Sequence, residues 1–216
     1  MEPAWPIPYV PLTTPYALDA FVSFCVAVLL AVLVNAEGQA FGATILGDRR
    51  VGAKDRFHFI AFFHLDPLGT INYLLGGFGW PRPVDIDPGR FAHPRLYTFL
   101  SRLAGPLANL LLANIAASIV HLFRAVGVDP QVFLMVMGVN LTTAVYNLIP
   151  FPPLAAGVLL TSLVAPPGEK THELLELAGP FLVLALTLLG LIDQRFSLHP
   201  WLAPLVQQLV EFLVGP

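Results

Sequence analysis

Long apolar runs, each broken by a short and chemically distinct interruption, give this chain its order. Residues 17–34 are apolar enough and long enough to cross about 30 Å of hydrocarbon, and the run fades toward Leu46 before Gly47-Asp48 stops it. A second apolar region, 57–80, is interrupted by His64, Asp66, Pro67 and the cluster Gly76-Gly77-x-Gly79. Runs at 99–123, 132–149 and 174–192 follow, and Pro150-Phe151-Pro152-Pro153 separates the fourth run from a short apolar helix expected at 154–164. The last segment, 201–214, is too short to span and carries Gln207, Gln208 and Glu211, so it reads as an interfacial or docked helix. The pattern predicts an all-α integral membrane protein.

Charge refines the topology. Arg49, Arg50, Lys54 and Arg56 precede the second apolar region, and Arg82, Arg90, Arg95 and Arg102 follow it. Basic residues favour the cytoplasmic side, so a region flanked by them at both ends reads as a re-entrant hairpin rather than a span. Irregular backbone at that depth needs cover from other helices. The expectation is four transmembrane helices plus this hairpin, with five helices as the alternative, and a short interfacial helix at the C-terminus. The chain reads as a single membrane domain over 1–216, with a proline-rich arm at 1–16, a core at 17–165 and C-terminal helices at 172–216.

Composition agrees with that placement. Of 216 residues, 56% are apolar and only 12% charged, about half the charged fraction of a soluble domain; the mean hydropathy is +0.73. A net charge of −3 without a basic stripe argues against nucleic acid as a partner. The single cysteine, Cys25, has no intrachain disulfide partner and reads as a small packing residue. Five prolines in the first fifteen residues (3, 6, 8, 11 and 15), with no Lys or Arg among them, do not make a cleavable signal peptide.

Polar side chains inside apolar runs are the candidates for function, because an amide in hydrocarbon is costly unless it finds a partner. Asn35 and Gln39 lie four apart, on one face of the first helix and one turn from each other. Asn109 follows Gly105-Pro106-Leu107-Ala108. Asn140 and Asn147 are two turns apart on the fourth run, and Asn147 stands just before the proline-rich break at Pro150. Each amide alone is readily explained as glue between helices. Their concentration beside helix breaks points to a shared polar cleft for a substrate or partner, formed by Asn109, Asn140, Asn147 and Pro150.

The motifs, taken in order, resemble those of the site-2 proteases, intramembrane zinc metalloproteases that cut helices within the bilayer. The resemblance rests on Leu46-Gly47-Asp48, His64-Leu-Asp-Pro-Leu-Gly-Thr70, Gly79-Trp-Pro-Arg-Pro-Val84, Gly105-Pro-Leu-Ala-Asn109 and Asn147-Leu-Ile-Pro-Phe-Pro-Pro-Leu154, and it spans roughly two thirds of the chain. It implies a bacterial source and hence the cytoplasmic (inner) membrane. In that family a helix carries His-Glu-x-x-His, with two zinc ligands and a general base. Counting back from Asp48, the ligand positions fall on Asn35 and Gln39 and the base on Ala36. The third ligand, an aspartate after the Pro-x-Pro element, falls on Ala155. The family also implies that Asn109 and Asn147 help to hold an unwound substrate.

No His-Glu-x-x-His occurs anywhere in the chain; its six histidines are at 58, 64, 93, 121, 172 and 199, and no two are four apart. Carboxamides are poor zinc ligands and alanine offers no donor. Without the metal no bound water is acidified, and without a glutamate at 36 the proton shuttle is gone. His172-Glu173 opens the final long helix, where an acidic residue suits the helix dipole. The reading is a catalytically inactive homologue, a membrane binding, scaffold or regulatory subunit without zinc. Its expected partners are lipid and another membrane protein or a transmembrane peptide segment. An active protease with a metal site rebuilt from some of His64, Asp66 and Glu37 is the alternative. A small transporter or ion pathway lined by the amides is the third reading.

Overall fold

The computed structural model describes residues 5–49, 56–165 and 169–215, without the side chains of 162 and 163; Arg50, Lys54 and 166–168 lie outside the described residues. These contain seven α-helices and no β-strand: α1 (Leu18–Leu46), α2 (Pro67–Gly76), α3 (Pro94–Ala125), α4 (Gln131–Tyr146), α5 (Ala155–Val164), α6 (Lys170–Ile192) and α7 (His199–Val214). Three of them, α1, α3 and α6, are long and apolar enough to cross a membrane. The molecule is an all-helical membrane protein.

Helix α1 packs chiefly on α3 and α4, and small side chains set the distance. Ala27, Ala31, Ala36, Ala40 and Ala43 line its buried face, and Gly105, Ala113, Ala116 and Ala117 are buried on α3. Gly38 and Gly42 are spaced as in the close-packing motif of membrane helices. A Cβ on either would come within 2.8 Å of Ala104 of α3. In lipid there is no hydrophobic drive to pair helices, so this close backbone approach and the hydrogen bonds it permits supply the cohesion.

The fourth apolar run becomes α4, a 16-residue helix about 24 Å long at 1.5 Å per residue. Every residue from Leu134 to Tyr146 in it is buried. It forms the inner post of the bundle, whereas α6 leaves Leu174, Leu177, Phe181 and Leu182 exposed, as a lipid-facing helix does. Cys25 also lies exposed, on the outer side of α1, rather than in the packed interior.

The second apolar region does not form one helix. A 3-10 turn at Ala61–His64 leads into the ten-residue α2, which Asp66 caps by accepting the Gly69 amide at 2.7 Å. Gly77, at φ +72°, ends α2 in the left-handed conformation that glycine tolerates. The chain then returns: Leu65 and Pro81 pair antiparallel, the Arg82 amide donates to the His64 carbonyl at 2.7 Å, and Trp80 Nε1 donates to Asp66 Oδ1 at 3.0 Å. The His64–Thr70 and Gly79–Val84 motifs thus brace each other. Asp48 plays the same part at the end of α1. It is fully buried, pairs with Arg56 at 2.6 Å and accepts the Asp87 amide at 3.0 Å.

The two chain ends also join the bundle. Trp5, Ile7, Tyr9 and Val10 are buried, and the Tyr9 ring lies 5.2 Å from that of Phe24 on α1. Alternating apolar residues between the prolines give the arm a face to bury, a signal its proline content obscures. Helix α7 docks on α4 and α3, where Tyr146 and His199 share a 2.7 Å hydrogen bond and Arg124 donates to the Val214 carbonyl at 2.6 Å.

Candidate binding site: an amide line through three helices

The buried amides of α1, α3 and α4 form one directed line. Arg102 donates to Gln39 Oε1 at 2.8 Å, and Gln39 Nε2 donates to Asn35 Oδ1 at 2.7 Å. Asn35 Nδ2 donates to Asn109 Oδ1 at 2.6 Å, Asn109 Nδ2 to Asn140 Oδ1 at 2.8 Å, and Asn140 Nδ2 to the Val136 carbonyl at 2.8 Å. The second hydrogen of Asn109 goes to the Ala31 carbonyl at 2.9 Å. Every amide accepts through oxygen and donates through nitrogen, so the dipoles align head to tail from a cation to a backbone carbonyl. Such chains polarise one another in a low dielectric. Asn35 and Gln39 meet because they sit one turn apart, and Asn109 reaches them because Gly105 lets α3 approach. A Cβ at 105 would stand 2.5 Å from Asn35 Oδ1.

Asn147 stands apart from this line. Its Nδ2 donates to the Thr143 carbonyl at 2.8 Å, and its Oδ1 accepts the Ala155 amide at 3.1 Å. The Ala156 amide goes to the Asn147 carbonyl at 3.0 Å. Asn147 therefore caps α5 across the proline break, satisfying amides that have no partner within the helix. Ala155 is the first residue of α5 and buried, and its side chain is a methyl group. Ala36 is fully buried in a small apolar cluster with Ala40 and Val84. Pro150 is exposed, away from the line.

A cavity of about 100 Å³ opens beside the line. Asn35, Gln39, Arg102 and Asn147 contribute polar groups to it, and Trp80, Pro81 and Pro83 from the segment that returns after α2 and Pro152 and Pro153 from the proline break close it. Glu176 and Pro180 of α6 form its rim. The structure thus brings Asn35, Gln39 and Asn147 to one cavity, while Asn109 and Asn140 lie behind it and Pro150 does not reach it. Arg102 enters the sequence analysis only as a flanking charge. Its signal was a cation lying inside the apolar run 99–123.

Glu37, His64 and Asp66 form no single cluster. Glu37 Oε1 lies 3.2 Å from His64 Nε2 and accepts the amides of His58 and Phe59 at 3.0 Å each. Asp66 is engaged with Gly69 and Trp80. Among the described residues, no group of three or more His, Cys, Asp or Glu is placed to hold a metal ion.

Comparison with known proteins gives one informative relative. The chain is 32% identical over 186 residues to a Bacillus subtilis (strain 168) protein named "Putative zinc metalloprotease YwhC", covering 81% of this chain and 85% of that one. No protein-family model matches the chain. No solved structure matches it. Two of the ordered motifs, Gly79–Val84 and Asn147–Leu154, supply walls of the cavity described above. The chain belongs to the zinc-metalloprotease-like family of which that Bacillus protein is a member.

Proposed function

We propose that this chain is a catalytically inactive member of its family, a pseudoprotease that binds a membrane-embedded segment of another protein without cutting it. The observation that carries this reading is the donor set at the zinc positions. Zinc needs lone pairs from imidazole, thiolate or carboxylate. Asn35 and Gln39 spend their oxygens on N–H donors, Ala155 has no donor, and the Arg102 guanidinium touches Gln39 where a second cation would be repelled. These residues do not fit the metal in the relative's name.

The cleft walls, by contrast, are complete: Trp80, the Pro-x-Pro break and the Asn147 cap all support a pocket. In this reading α4 is a fourth, protein-covered span and 57–80 is the re-entrant hairpin, in a bacterial cytoplasmic membrane. A test is to reconstitute the purified full chain in liposomes with a labelled transmembrane peptide. Binding without cleavage is expected; cleavage that a zinc chelator abolishes would overturn the reading.

A further inference from the structure

We infer that the cavity beside the amide line is an anion site, built to take a carboxylate through Arg102. This rests on the proposed function for its partner, a polypeptide within the membrane, but the site itself stands on its geometry. An ionisable side chain inside a membrane helix is costly and needs a reason. Arg102 is the ninth residue of the 32-residue α3, and Gln39 is seven residues from the end of α1, so the pair lies about 10 Å in from that end of the bundle at 1.5 Å per residue. Among the described residues the guanidinium makes a single side-chain hydrogen bond, to the neutral Gln39, which leaves four of its five N–H donors for other partners.

The lining carries the inference further. Gln39 and Asn147 each commit one amide hydrogen, to Asn35 and to Thr143, and each keeps a second. Their oxygens accept from Arg102 and from the Ala155 amide. The amide and guanidinium groups left for a guest on this wall are donors, and the Glu176 carboxylate is the one acidic side chain among the described lining residues. The acidic groups acting on Arg102 are Glu176 and Asp85. Glu176 sits on the rim with its side chain 47% exposed and is drawn to His172 Nε2 at 3.4 Å, with no ion pair to Arg102. A volume of about 100 Å³ admits a carboxylate and little more. The position at which a protease would hold a cation between anionic and neutral ligands has the opposite sign here: a fixed cation and amide donors await an anion. A guanidinium–carboxylate pair in this setting can be bidentate and strong.

Two sources can supply the carboxylate, an acidic side chain within a transmembrane segment or the free end of a chain, and separate arms tell them apart. In the first arm, sodium formate is titrated into the ¹⁵N-arginine-labelled full chain in nanodiscs, reading the Arg102 Nε resonance assigned by its loss in Arg102→Lys. A saturable shift that sodium chloride at equal ionic strength does not reproduce is expected, with several-fold tighter binding in Glu176→Gln, where the rim charge is removed. A shift absent, or matched by chloride, overturns the site.

In the second arm, four transmembrane peptides are compared: one with a mid-span Asp, its Asn twin, one with a free C-terminal acid, and its C-terminal amide. At least one acid is expected to bind about tenfold more tightly than its neutral twin, a difference lost in Arg102→Met and retained in Arg102→Lys. Equal binding of acid and neutral twins overturns the carboxylate inference and leaves the binding reading in place. Formate binding with no peptide binding supports the anion site and removes the polypeptide partner.

Discussion

Two of the polar centres inside this bundle are built on opposite plans. At the end of α1, Asp48 and Arg56 form a closed ionic tie at 2.6 Å, with their side chains 0% and 5% exposed. Arg56 reaches the carbonyls of Asp48 and Asp85 as well, fastening α1 to the returning loop. Along the middle of α1 the line from Arg102 to Val136 uses neutral amides and ends on a cation with no carboxylate bonded to it among the described residues. The first centre is a fastener. The second joins three helices and still presents a charge to a cavity. A buried charge that is fully paired holds a fold together, whereas a half-buried one left half-paired beside a cavity is set up for a guest.

The largest expected effect breaks the ionic tie. Asp48→Ala leaves the Arg56 guanidinium buried without its carboxylate, which costs about 3–5 kcal/mol. Tryptophan-fluorescence melting in mild detergent should show that loss, or the variant should fail to accumulate folded. A melt unchanged from the parent would mean that the tie is ornamental.

Next comes the centre of the amide line. Asn109→Ala removes one acceptor and two donors, leaving Asn35 Nδ2 and Asn140 Oδ1 unsatisfied, at a cost of about 1–3 kcal/mol. A double-mutant cycle with Asn35→Ala sharpens this: the two losses should be clearly sub-additive, because the residues share a hydrogen bond. Strict additivity would show that the line is not a single unit.

Asn147→Ala should act locally, costing about 1 kcal/mol as a lost helix cap does. Hydrogen exchange should quicken at the Ala155 amide and its neighbours in α5 and leave α1 and α3 unchanged. Smallest of all is Pro150→Ala, at an exposed position, where a change within about 0.5 kcal/mol is expected from the same melts.

Much of this was legible in the sequence because hydrophobic length is a strong signal. Helices α1, α3 and α6 follow their apolar runs closely, and the one-turn spacing of Asn35 and Gln39 is realised as a direct hydrogen bond. Three features were not. Burial of the N-terminal arm depends on Trp5, Ile7 and Tyr9 finding α1 and α4, and local pattern does not register that contact. Asn147 belongs to its own helix turn and the α5 cap, not to the line, because a backbone break offers amides closer than any neighbouring helix. Arg102 passed as a topological flank, since a charge near the start of an apolar run looks the same whether it faces headgroups or a cavity. Only the packing of α3 against α1 tells which.

In the proposed function the amide line stands where the family would hold zinc. Inductively coupled plasma mass spectrometry of the full chain, purified without chelator from zinc-supplemented cells, tests it most directly. Zinc well below one per chain, on the order of a tenth or less, is expected, unchanged in Gln39→Ala, since a real site would bind tightly. One zinc per chain that is lost in Asn35→Ala or Gln39→Ala would contradict it.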